Sequence, residues 1–187
     1  LFRIATVVSL SWALGITCVC VVLRDEISLL IALDAAIPLI VLLPLVLGFA
    51  LDGAFGHVKL MLIAKHDSPA NAKMITAAAF VAIAGAYAGT SLIGLPGASL
   101  ALLAAYVVLT VLRVVRMRQT VGVYPLSAAD LNKLVTAGWP LIGLAYAAES
   151  FEIPLGVRLG VLIAASGYWA WTIFRTYAAE ITELRSI

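Results

Sequence analysis

The sequence predicts an all-α, polytopic helical membrane protein, with about six transmembrane helices arranged as three hairpins and both termini cytoplasmic. Three observations carry this reading. Of 187 residues, 64% are hydrophobic and only 12% are charged, and the mean hydropathy is +1.11. An ordinary soluble domain is about 45–50% apolar and about 25% charged. The apolar excess is gathered into runs of about 20 residues, the length a helix needs to cross the hydrocarbon layer. These runs lack the apolar–polar alternation of barrel strands, so helices must satisfy the backbone polar groups. Finally, Lys and Arg segregate between the connections. Arg3, Lys59, Lys65, Lys73, Arg113, Arg116, Arg118, Lys133, Arg175 and Arg185 fall on one side, Arg24 and Arg158 on the other. Such asymmetry marks the cytoplasmic side and requires an even number of spans.

The first span is expected at about residues 4–23. Its apolar core exceeds the 7–15 residues of a signal peptide, and the basic n-region is reduced to Arg3, so it reads as a retained span. Cys18 and Cys20 lie within it, and residues two apart on a helix point to different faces. They read as small apolar residues with no disulfide between them. A short turn, Arg24-Asp25-Glu26, closes the first hairpin.

The second span, about residues 27–51, holds Asp34, Pro38 and Pro44. Proline removes the helical hydrogen bond to the carbonyl four residues back. Pro38 is thus expected to free the carbonyl of Asp34, placing a carboxylate and an unpaired backbone oxygen at one spot. Asp34 lies roughly 10 Å below the outer end of that span at about 1.5 Å per residue. A charge at such depth is costly and marks a functional site or a buried pair. Arg158, near the outer end of the sixth span, is the candidate partner by depth.

The loop 52–73 carries Phe55, Val58, Lys59 and Lys65, which suit either a short interfacial helix or a continuation of the second span. Ser68 is expected to cap the next helix, with Pro69 in its first position. The third span, about 74–94, contains Gly85 and Gly89 one turn apart, extended by Ala78, Ala82 and Ala86. Small residues at this spacing let helix backbones approach closely. Leu95-Pro96-Gly97 is expected to turn the chain into the fourth span, about 98–115.

Ser127 and Asp130 resemble a capping box that opens a helix running into the fifth span, about 134–150. Glu149 and Glu152, three apart, share a helical face near the outer turn. The sixth span, about 155–174, carries a second packing pair, Gly156 and Gly160, together with Arg158 and the aromatic group Tyr168, Trp169, Trp171, Phe174 and Tyr177. Packing against lipid, or contact with a quinone, pigment or lipid molecule, would each use those rings.

Asp34, Pro38, Arg158, Glu149 and Glu152 are therefore the expected substrate- or ion-binding residues, and Gly85, Gly89, Gly156 and Gly160 the expected packing residues. No metal centre or cofactor is expected. His57 and His66 fall on the opposite side of the membrane from Glu149 and Glu152, and no histidine lies within a span to ligate haem. The chain carries no nucleophile elbow, phosphate-binding glycine loop or HExxH, so nothing points to an enzyme. No basic tract interleaved with aromatics suggests nucleic acid.

Three functions remain. The first is a small transport or channel component built around Asp34 on a proline-broken helix. The second is a non-catalytic membrane subunit of a larger complex. The third is the membrane input module of a sensor, relaying through the polar helix 174–187. The expected partners are the lipid bilayer and either further copies of the chain or other membrane subunits. The expected location is the cell membrane, assumed to be a bacterial-type inner membrane.

Overall fold

A computed structural model describes residues 2–30, 37–122 and 153–185, together with Asn132, Gly143 and Ala147. Seven helices make up the described fold: α1 (Phe2–Val22), α2 (Arg24–Leu30), α3 (Leu39–Ala54), α4 (Gly56–Ala64), α5 (Ser68–Ile93), α6 (Leu95–Val121) and α7 (Leu155–Arg185). Five helical stretches are long and apolar enough to cross a membrane: Ile4–Val22, Leu39–Ala64, Ser68–Ile93, Leu95–Val121 and Leu155–Arg175. The expected fifth span, 134–150, lies outside the described residues apart from Gly143 and Ala147.

The first hairpin differs from the sequence expectation. Leu23 N–H donates to Val19 O, and Ile27 N–H donates to Leu23 O, both at 2.9 Å. Helical bonding thus passes through Arg24-Asp25-Glu26 into α2, which runs to Leu30. Arg and Glu are good helix formers, and Asp25 and Glu26 sit in the first turn of α2, where negative charge is favoured. They mark where the apolar run pauses, not where the helix ends.

Pro38 is also placed differently. It stands immediately ahead of α3 with φ −57°, and its carbonyl accepts the N–H groups of Val41 at 2.9 Å and Leu42 at 3.0 Å. A proline here loses nothing, because the first N–H groups of a helix have no internal acceptor. The second span begins at Leu39 rather than residue 27, so Pro38 breaks no described helix. Pro44 lies inside α3 and leaves the carbonyl of Ile40 without its helical donor.

From Leu39 the chain stays helical through α3 and α4, with one irregular residue at Phe55. The helix expected in this loop is formed: α4 follows α3 after the single residue Phe55. α4 closes at His66, which has φ +58°. Asp67 N–H reaches back to Leu62 O and His66 N–H to Ile63 O, the paired bonds of a Schellman cap. α5 then starts one residue earlier than expected: Asp67 precedes it, and Ser68 and Pro69 are its first helical residues.

The α5–α6 reversal is tighter than expected. Leu95-Pro96-Gly97 is already helix, and Gly94 alone turns the chain at φ +71°. That backbone is strained for a residue with a Cβ. α6 runs on to Val121 and ends on Gly122 at φ +73°, whose N–H donates to Arg118 O.

The main contacts order the long helices in a row, α7–α1–α3–α6–α5, with α4 touching α3, α5 and α6. α5 and α6 are antiparallel, with Gly89 against Gly97 and Gly85 against Ala101. α3 and α6 run the same way, with Gly48 making room for Tyr106. α1 and α7 are antiparallel, with Gly15 beside Trp169. The main apolar cluster lies at one end, where Val7, Val58, Leu62, Met117 and Tyr177 are almost wholly buried. A smaller cluster of Val22, Leu162 and Trp169 joins α1 to α7 further along.

Candidate functional site

The polar groups of the described residues sit mainly at the two ends of the row. Several hydroxyls between them are turned back onto their own helix. Ser11 donates to Val7 O at 2.7 Å, Thr17 to Ala13 O at 2.9 Å and Ser99 to Pro96 O at 2.8 Å. This is how a helix carries hydroxyls without asking a neighbour for a partner.

One end holds three linked polar pairs. Arg113 on α6 is 3% exposed; its Nη1 donates to Asp52 Oδ1 of α3 at 2.7 Å, and its Nε to Asn71 Oδ1 of α5 at 3.3 Å. A buried guanidinium requires such partners. One turn further, Arg116 donates through Nε and Nη2 to the two carboxylate oxygens of Asp67, at 2.6 and 3.1 Å. This fork holds the Asp67 carboxyl below the usual carboxylate range, chiefly through the hydrogen bonds from Arg116. Beside them Thr6 Oγ1 and His57 Nε2 lie 2.7 Å apart, tying α1 to the start of α4. The three pairs therefore staple α1, α3, α4, α5 and α6 at one level.

Sequence reasoning missed this assembly. It counted Arg113 and Arg116 only as members of the basic side. A usable signal was present: Asp52, Asp67 and Asn71 flank the same connection that faces the end of the fourth span. The pairing itself depends on which helices adjoin.

At the other end Arg158 on α7 donates from Nε to Ile153 O at 2.7 Å. Its Nη1 lies 3.9 Å from Asp25 Oδ2 and 3.8 Å from Glu26 Oε1. The expected binding residues divide accordingly. Arg158 has partners on α2, Pro38 precedes α3, and Asp34, Glu149 and Glu152 lie outside the described residues. The expected pairing of Asp34 with Arg158 therefore lies outside the described residues.

The glycine pairs also divide. A Cβ on Gly89 would lie 2.6 Å from Gly97 O, and one on Gly85 would lie 2.9 Å from the Cβ of Ala101. A Cβ on Gly156 or Gly160 would meet nothing within 4 Å. The first pair sits at a close backbone contact. The second pair meets no described residue within 4 Å, and the expected fifth span lies outside the described residues apart from Gly143 and Ala147.

An apolar groove of about 550 Å³ lies between α1 and α7, with Trp12, Trp169, Phe174 and Tyr177 among its lining. No group of three or more His, Cys, Asp or Glu placed to hold a metal occurs among the described residues. Cys18 and Cys20 are free thiols. No family model, curated protein or solved structure matches the chain.

Proposed function

We propose that the chain is a non-catalytic, membrane-embedded subunit that works by packing against other subunits, either further copies of itself or different membrane chains. The observation that supports this most directly is the edge helix. α5 meets α6 closely at Gly85 and Gly89, buries only Asn71, Met74 and Ala78 fully, and turns much of its surface outward, with Phe80 75%, Ile83 73% and Tyr87 83% exposed. These three share one helical face. In the described part of the molecule the long helices make a row, and the hydroxyls between its ends bond to their own helices. That suits a wall within an assembly better than a conduit through one chain. The location would be a cell membrane, with all five candidate spans inserted.

Photocrosslinking from position 87 or 80 in native membranes tests this. A discrete protein adduct, to a second copy or to another chain, is the expected outcome. Adducts to lipid alone from both positions would overturn it.

A transport or channel role is kept as a second reading because of one local feature. Ile37 and Pro38 are non-helical immediately ahead of the apolar α3, and the Ile37 N–H is taken up by Ser28 Oγ of α2 at 3.1 Å. Interrupted helices of this kind are how transporters expose backbone to a substrate. Solute flux in proteoliposomes holding this chain alone, abolished by Asp34→Asn, would favour that reading over the first.

A further inference from the structure

We propose that the α4–α5 corner binds the headgroup of an anionic phospholipid, held by Lys59, Lys65 and Lys73. All three side chains are exposed, and none has an ion pair among the described residues. The carboxylates described at this corner are already engaged. Asp67 is taken by the fork from Arg116, and Asp52 by the buried Arg113. The lysines therefore present positive charge outward, and the group that complements them is an anion from outside the chain.

The level of the lysines identifies that anion. A helix crosses the hydrocarbon in about 20 residues. Counted from Leu39, that length ends at Val58, and Lys59 is the next residue. Counted back along α5 from Ile93, it ends at Met74, and Lys73 is the next. On α7 it runs from Leu155 to Phe174, and Arg175 is the next, its guanidinium 5.4 Å from the Trp171 ring centroid. Three helices thus place a cation at the same level, where the phosphates of a bilayer begin. The residues between the lysines favour lipid over an acidic protein. Val58 and Leu62 are wholly buried, which turns Lys59, Leu60 and Ile63 to the outward arc of α4. Leu60 is 66% and Ile63 42% exposed. Apolar side chains set beside lysines at the end of a span are the pattern of a segment seated among lipid headgroups. The assignment rests on the membrane reading of these helices, and it is independent of what meets the outward face of α5.

The test uses the full chain, stripped of lipid in a neutral detergent. It is titrated with phosphatidylglycerol or with phosphatidylcholine of the same acyl chains, and bound lipid is counted by native mass spectrometry. Phosphatidylglycerol is expected to bind the wild type about 10-fold more tightly or better, since each lysine near an anionic headgroup contributes about 5-fold. Lys59→Gln and Lys73→Gln should each weaken phosphatidylglycerol by about 5-fold and leave phosphatidylcholine unchanged. Arg24→Gln, which removes the same charge at the far end, should change neither. The soluble headgroup glycerophosphoglycerol should fail to compete at equal concentration, because it brings nothing for Leu60 and Ile63. Equal affinity for the two lipids, an equal loss in Arg24→Gln, or full displacement by the soluble headgroup would each overturn the proposal. Melting curves identify any variant that fails to fold, and the wild-type comparison of the two lipids decides the matter without variants. Alkaline extraction of native membranes tests insertion separately: a chain that resists extraction yet shows no lipid preference loses this site and keeps its membrane reading.

Discussion

Arg113 is the side chain on which the basic end depends most. It is buried at 3% exposure, while its carboxylate partner Asp52 is 44% exposed. The two halves of the pair are therefore unequal. Removing Asp52 leaves a buried cation with only the Asn71 oxygen, and breaking a buried pair in this way costs about 3–5 kcal/mol, less here because water reaches Asp52. Removing Arg113 leaves a carboxylate that water can solvate. Asp52→Ala should thus destabilise by about 2 kcal/mol or more. Arg113→Met together with Asp52→Asn should cost less than Asp52→Ala alone. A double-mutant cycle on thermal melts in detergent checks this, and additivity would show that the pair carries no coupling. The neighbouring pair behaves differently with pH. Arg116 depresses the Asp67 carboxyl, so the contribution of Asp67 is complete above the ordinary carboxylate range and is lost as pH falls through its lowered native value. Melting temperature from neutral pH down to about 5 should be insensitive to Asp67→Asn replacement in slope. Below that range the parent should lose stability more steeply than the variant.

Among elements, the α5–α6 hairpin has the closest backbone contact. Gly89 and Gly97 face each other there, and any Cβ at 89 would be driven into the Gly97 carbonyl at 2.6 Å. Neither backbone can yield without parting the helices. Gly89→Ala should therefore cost about 1–3 kcal/mol, the usual penalty of overpacking, and Gly89→Leu more. Gly160→Leu should cost less than Gly89→Leu, because no described residue lies within 4 Å of that position. Equal effects at both positions would contradict this geometry. The two glycine pairs also show how far the sequence could be read. Both have the same GxxxG spacing, and spacing identifies a surface able to pack closely. It does not say whether a helix lies opposite. The elements themselves were largely legible, because runs of apolar residues can only be helices in lipid. Their ends were less so. Arg24-Asp25-Glu26 looks like a turn by charge and is helical by bonding. Leu95-Pro96-Gly97 looks like a turn by composition, yet proline fits the first turn of a helix and Gly94 alone reverses the chain. The Arg113 and Arg116 pairs were illegible for a further reason: they join residues 42 to 61 positions apart, and only the adjacency of α3, α5 and α6 creates them.

Across the whole molecule, the two ends of the helix row differ in charge in a way that predicts its orientation. His57, after α3, meets Thr6 near the start of α1, and Tyr177, late in α7, shares an apolar cluster with Val7. The start of α1, the α3–α4–α5 corner and the last turns of α6 and α7 therefore lie at one end. Lys59, Lys65, Lys73, Arg113, Arg116, Arg118 and Arg175 belong to that end. Arg24 and Arg158 belong to the other, where Asp25 and Glu26 offset them. Asp52 and Asp67 pair with Arg113 and Arg116 at the basic end, and the cations there still outnumber the acids. Positive connections are retained in the cytoplasm during insertion, so the basic end should be cytoplasmic. Single cysteines placed in a parent with Cys18→Ala and Cys20→Ala check this in intact cells. Ser91→Cys lies in the last turn of α5 at the far end, and Ser68→Cys opens α5 at the basic end; both side chains are exposed. An impermeant maleimide added outside should label position 91 and spare position 68 until the membrane is broken. The reverse pattern would invert the molecule. Labelling of both from outside would mean that α5 does not cross the bilayer, and the membrane reading of its 26 residues would fall with it.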